Sequence, residues 1–302
     1  MPTLLIVKLG AAGDVVRTTT ILHLFQGWEV DWLVGQENRD LIPSPVRNVF
    51  TKVDQIPEGI VYDRLINLED DFEITKAVST RVSSDYVFGA MLNEQGEISY
   101  TEDSSGWFDM SLISRYGIGK ADQIKLANRR SYQEIVFESL GHPFSGEEYI
   151  LPVPPRESKL RGDIAVAPFA GKRWPMKNWA HFDKLVNLLS KHFTVNILPW
   201  RQSLLEHISD ISNHSLVICN DSLPMHLALG LQIPTVALFT CTSPWEIYDY
   251  GLLTKLISPK LSRYFYQREY KYDAVSSISV KTTYDAVLRS LTIGIQQPLI
   301  RR

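Results

Sequence analysis

A chain of 302 residues, 44% hydrophobic and 22% charged, has the composition of a globular protein and the length of two domains of roughly 150 residues each. Its net charge of −3 and pI near 6.2 argue against a nucleic-acid-binding protein, which carries a basic excess, and leave room for a local basic patch in peripheral contact with a membrane. No basic segment precedes the apolar start and no apolar run approaches the ~20 residues that span a bilayer, so the expectation is a cytoplasmic protein without signal peptide or membrane span.

Thr3–Leu9 (TLLIVKL) is short and apolar, the pattern of a strand buried in a parallel sheet. Gly10-Ala11-Ala12-Gly13-Asp14 follows, then a predicted helix over Val15–Gln26. The small residues permit a tight turn and a close ligand approach. Their spacing is not the G-x-G-x-x-G of a dinucleotide site, so a nicotinamide-dependent dehydrogenase is disfavoured. Asp14 stands where the loop becomes a helix. It serves either as an N-cap or as a carboxylate directed into a cleft from a strand end.

Glu29–Val34 reads as a second strand and Val61–Leu68 as another, ending in Glu69-Asp70-Asp71. At least two of these three acids are expected to cap and solvate the next helix, the alternative being a site for hydroxyls or a cation. A strand is predicted around Tyr86–Phe88. Asn93–Trp107 reads as a long polar loop, with an amphipathic helix opening at Trp107. Ser131–Leu140 is a further amphipathic helix, closed by Gly141 and Pro143.

Pro152–Gly162, rich in proline and charge, reads as a linker and sets the predicted domains at 1–153 and 154–302. Ile164–Ala167 is a strand, Pro168–Pro175 a loop with Lys172 and Arg173, and Asn178–His192 a helix. Thr194–Leu198 is a strand and Ser203–Ser212 a helix. A stretch rich in tyrosine and basic residues, Leu261–Tyr272, precedes a final helix at Thr282–Leu291, which could pack back on the first domain.

The chemistry concentrates in Leu216–Pro244. An apolar run ends at Asn220-Asp221-Ser222, a helix follows, and a second apolar run ends at Thr240-Cys241-Thr242. In such a unit the polar loops lie at the carboxyl ends of parallel strands, where open α/β sheets bind ligands. The helix N-terminus, with the Leu223 amide and the Ser222 hydroxyl, suits a phosphate. His226 lies four residues from Ser222, on the same helical face. The plainer alternative makes Asp221 or Ser222 a helix cap and His226 an interior histidine. Cys219 and Cys241, the chain's two cysteines, are expected to be buried reduced thiols and cannot complete a zinc site.

Three stretches in this order resemble glycosyltransferase family nine, the ADP-heptose:lipopolysaccharide heptosyltransferases and their relatives: LLIVKLGAAGDVVRTTTIL, APFAGKRWPMKNW and CNDSLPMHLALGLQIPTVALFTCTSP. INLEDD is similar to a subset of that family acting beyond the lipopolysaccharide core. The resemblance implies an α/β chain of the GT-B class, two Rossmann-like domains facing a central cleft. It implies inverting transfer of a sugar, a heptose from an ADP-heptose-type donor, without metal or other cofactor; the chain contains no D-x-D sequence. On the matching positions, Asp14 is the general base. Lys172 holds the donor phosphates, and Asp221, Ser222, Leu223 and His226 surround the diphosphate.

Two departures stand out. Leu223-Pro224 replaces the family's usual glycine, and Pro224 has no N–H to donate. Only Pro199-Trp200-Arg201-Gln202 remain where the family carries another helix–strand pair. The acceptor is left open among a glycan, a protein side chain and a small molecule, with Asn93–Tyr116 the expected region. The rival readings are a nucleotide-sugar-binding protein without transfer and a nucleotide-sugar epimerase.

Overall fold

Short apolar runs alternate with helical segments through most of the chain, and strands joined by helical crossovers pair in parallel. The computed structural model describes residues 1–154 and 156–296. The chain divides into a unit of Met1–Pro152 and a second unit beginning at Val153, at the start of the proline-rich stretch.

The N-terminal unit contains strands β1 (Thr3–Val7), β2 (Glu29–Leu33), β3 (Asn48–Phe50), β4 (Val61–Asn67), β5 (Ser83–Leu92) and β6 (Ile98–Tyr100). Its helices are α1 (Ala12–Thr18), α2 (Phe72–Arg81), α3 (Ser105–Phe108), α4 (Ile118–Ala127) and α5 (Tyr132–Ser139). The sheet order is β3-β2-β1-β4-β5-β6, parallel except for the hairpin β5–β6. Leu5, Val7, Leu33, Leu65 and Val78 form one core on a face of this sheet.

The C-terminal unit contains β7 (Gly162–Ala167), β8 (Val195–Ile197), β9 (His214–Asn220), β10 (Thr235–Phe239) and β11 (Leu253–Ile257). Its helices are α6 (Phe182–Leu189), α7 (Leu204–Ser212), α8 (Leu223–Gly230), α9 (Leu261–Tyr264), α10 (Tyr272–Val275) and α11 (Val280–Gln296). The five strands are all parallel, in the order β11-β10-β9-β7-β8. β8 is an edge strand, and α7 begins soon after it. Ile164, Val166, Leu216, Ile218, Val236 and Leu238 pack with Ala286 and Val287 of α11 in a single core.

The first crossover departs from expectation. α1 stops at Thr18 and the chain winds on as a 3-10 helix from Thr19 to Phe25. Three consecutive threonines cause the change. Their hydroxyls donate to the carbonyls of Asp14, Val16 and Arg17 at 2.7, 2.7 and 2.9 Å, and such bonds compete with the α-helical ladder. The expected loop at Asn93–Trp107 contains β6 and the start of the four-residue α3, and the helix expected to open at Trp107 does not form: α3 ends at Phe108 and turns follow. Both cysteines are free and buried, and burial raises the pKa of both thiols, Cys241 to about 11. Among the described residues no helix is long and apolar enough to cross a membrane.

Candidate functional site

In doubly wound sheets the binding crevice opens where the strand order reverses, outside the carboxyl ends of the two strands that flank the reversal. In the N-terminal unit those strands are β1 and β4; in the C-terminal unit they are β7 and β9. The loops at these four strand ends hold nearly every site residue expected from the sequence.

After β1, the Lys8 ammonium donates to Glu69 Oε1 at 2.9 Å across the reversal, and the Leu9 amide donates to the same oxygen at 2.6 Å. Asn38 Nδ2 donates to the Leu9 carbonyl at 2.7 Å. Burial works against the charge on Lys8, but the carboxylates of Glu69 and Asp14 outweigh it and raise its pKa. Of the acidic cluster, Asp71 alone caps α2, accepting from the Ile74 amide at 2.9 Å. Glu69 is turned inward onto the loop after β1. Asp70 accepts from the Leu112 amide at 3.4 Å, so with Glu69 held by Lys8 only one of the three is a helix cap, against the expectation of at least two.

Asp14 is not an N-cap. Ala11 occupies that position, and Asp14 lies in the first turn of α1 with its carboxylate 3.0 Å from the Arg17 guanidinium. The capping role fails because the turn starts earlier, at the small residues. Arg17 is buried, its guanidinium 4.2 Å from the centre of the Tyr132 ring and 5.2 Å from that of Trp107.

In the C-terminal unit, Asn220 at the end of β9 ties down the long loop after β7. Its Nδ2 donates to the Pro168 carbonyl at 2.8 Å, and its Oδ1 accepts from the Trp179 amide at 3.2 Å. Asn178 Oδ1 accepts from the Ala170 amide at 2.7 Å, and the Thr240 hydroxyl bonds the Met176 carbonyl. Within this frame Asp221 is buried and receives two strong partners: the Lys177 ammonium at 2.7 Å and the Thr242 hydroxyl at 2.6 Å. Burial pushes the Asp221 carboxyl up. The Lys177 charge, the hydrogen bonds of Lys177 and Thr242, and nearby His226 outweigh it, so its pKa is lowered.

Lys177 is a residue of this frame that the sequence reading missed. It lies in the quoted APFAGKRWPMKNW stretch, five residues after Lys172, in a short 3-10 turn. Lys172 itself is in an exposed turn and, among the described residues, makes no ion pair. Asp221 does not cap α8. Ser222 has the N-cap position but makes no side-chain cap bond; its hydroxyl donates to the Asn220 carbonyl at 3.2 Å. Leu223 opens α8, and Pro224 falls in the first turn, where a missing N–H leaves no helical bond unmade. His226 is buried one turn in.

The family model for glycosyltransferase family 9 (heptosyltransferase) matches residues 182–264. No curated protein matches the chain. Solved structures match over nearly the full length. E. coli heptosyltransferase WaaC with ADP-2-deoxy-2-fluoro heptose is 14% identical with a TM-score of 0.61, over 95% of this chain and 99% of that one. A family 9 glycosyl transferase from Veillonella parvula is 14% identical with a TM-score of 0.63, over 97% of each chain. E. coli ADP-heptose lps heptosyltransferase II is 15% identical with a TM-score of 0.57, over 97% and 99%. These likenesses establish the fold as that of the GT-B heptosyltransferases.

Proposed function

We propose, from the premise that this chain is a heptosyltransferase-like glycosyltransferase of family nine, that it moves a heptose from an ADP-heptose-type donor to a hydroxyl acceptor with inversion and without a metal. The observation that carries the reading is the polar frame at the reversal of the C-terminal sheet. The loops after β7, β9 and β10 are tied together there around Lys177, Asp221 and Thr242. The structural neighbours support the nucleotide: WaaC has been solved with ADP and with an ADP-heptose analogue.

The donor diphosphate is assigned to Lys172, Ser222 and the amides at the start of α8, which supply positive charge where the leaving group develops negative charge. Lys172 being exposed fits a side chain that closes on the phosphates when they arrive. Asp14 is assigned as the general base. The acceptor O–H bond breaks and its proton passes to the Asp14 carboxylate. The oxygen's electron pair forms the bond to the anomeric carbon from the face opposite the diphosphate. The bond to the diphosphate breaks, and its pair leaves on the phosphate oxygen. The acceptor is a hydroxyl on a glycan, a protein side chain or a small molecule.

A thermal-shift screen of ADP-, GDP- and UDP-sugars, followed by product analysis with the stabilising donor, tests the reading. An ADP-sugar is expected to raise the melting temperature, and transfer is expected to continue in EDTA. A donor that binds but never transfers would leave a binding protein. Donor turnover without acceptor would indicate an epimerase.

A further inference from the structure

Arg17 occupies a position in α1 that an amphipathic helix would give to an apolar side chain. Its neighbours Val15, Val16 and Thr18 are buried, and so is Arg17. A charge held there needs compensation. The guanidinium lies over the Tyr132 ring and beside the Trp107 ring and reaches the Asp14 carboxylate at 3.0 Å. The aromatic cage is fixed in turn. Trp107 and Tyr132 pack edge to face with centroids 4.8 Å apart. The Tyr132 hydroxyl and the Thr18 hydroxyl are 2.9 Å apart, and the Thr18 hydroxyl donates to the Asp14 carbonyl at 2.7 Å. Both ends of Asp14, carboxylate and backbone, are thus tied to the same aromatic wall.

We propose that Arg17 is a positioning residue for Asp14, fixing the direction of its carboxylate from the aromatic cage and setting the pH range over which that carboxylate accepts the acceptor's proton. The inference rests on the reading of Asp14 as the base. A stacked, planar guanidinium can hold a carboxylate in one orientation; a lysine in its place would keep the charge and lose the plane. The other charged and titratable groups around Asp14 include Lys8 just after β1, itself paired with Glu69, and Tyr132 on α5, both of which act on it electrostatically. The Lys125 ammonium of α4 lies 5.6 Å from the centre of the Trp107 ring. Glu37, Arg39 and Asp40, on the turn packed against α1, are exposed. Arg17 is in direct contact, at 3.0 Å.

The test is the pH dependence of transfer by the full chain with its donor and acceptor. In Arg17→Met the acid limb of kcat is expected to move up by about one pH unit, since a carboxylate that loses an adjacent cation holds its proton to higher pH. In Arg17→Lys the limb stays in place while kcat falls about tenfold and the donor KM is unchanged, as expected for lost orientation at retained charge. A role confined to packing would not move the limb. A wild-type limb in Arg17→Met, or a wild-type kcat in Arg17→Lys, overturns the proposal. Should Arg17→Met not fold, the Arg17→Lys result decides. If the wild type transfers but Asp14→Asn transfers equally well, it is the base assignment beneath the proposal that fails.

Discussion

Asp221 and Lys177 are hard to replace, because neither charge can reach bulk water readily. Their side chains are 11% and 17% exposed. Removing one partner leaves the other charge uncompensated, which for a mostly buried pair costs about 3 kcal/mol. Asp221→Asn is therefore expected to lower the unfolding free energy by about that amount at pH 7, measured by urea titration. Because the folded-state pKa of Asp221 is lowered, its contribution is complete above the ordinary carboxylate pKa and is lost as pH falls further. The gap between wild type and variant should narrow below pH ~4; a gap that persists there would mean that the charge pair is not its source. Lys172 is a different kind of residue, exposed and poised. Lys172→Ala should leave stability unchanged and weaken nucleotide-sugar binding about tenfold. Equal affinity by calorimetry would remove Lys172 from the phosphate site. Asp14→Asn should reduce transfer by at least ~100-fold in a folded protein, the usual scale of a lost general base, and a near-wild-type rate would sink that assignment.

At the scale of elements, β4 and β5 show how closely the strands behind the acidic cluster are fitted. Gly89 pairs with Asn67 and has φ +98°, and an added Cβ would stand 1.9 Å from the Asn67 carbonyl oxygen. Gly89→Ala must both strain the backbone and part the strands. A loss of about 2–4 kcal/mol is expected, read as a lower denaturation midpoint; an unchanged midpoint would show that the two strands can separate freely there. The sequence showed β1, β7, β9 and β10 because strands buried on both faces read as unbroken apolar runs. It did not show β3, β6 or β11, which are short or partly exposed and lack that signal. The site divides the same way. Asp14, Asp221, Ser222 and His226 were legible because they follow strand ends at fixed local spacing. The pairings Lys8–Glu69 and Lys177–Asp221 were not, because they join loops 61 and 44 residues apart that only sheet order makes neighbours. Arg17 was hidden for another reason: its cage is assembled from α1, α3 and α5, and no spacing along one helix announces it.

At the scale of the whole molecule, each unit has its own sheet, core and order reversal, and the two reversals carry different chemistry. On the proposed reading, the side chains around β1 and β4 orient the carboxylate of the base, and those around β7 and β9 receive the donor phosphates. A ligand that engages one unit should therefore leave a mark confined to that unit's loops. Amide exchange is the measurement, since each loop's protection reports its own opening free energy. With an ADP-sugar at 100 times its Kd, a site that closes on the donor gains about 2.7 kcal/mol, or ~100-fold slower exchange, in the segments whose opening requires release. The amides expected to respond are those of Ala170, Trp179, Asp221 and Met225, which are bonded within the frame after β7 and β9. The Leu9 amide, bonded to Glu69, belongs to the other unit and should exchange as before. Protection centred on Leu9 with none at Trp179 and Asp221 would move the donor to the N-terminal unit. The division of labour between the two sheets would then be reversed.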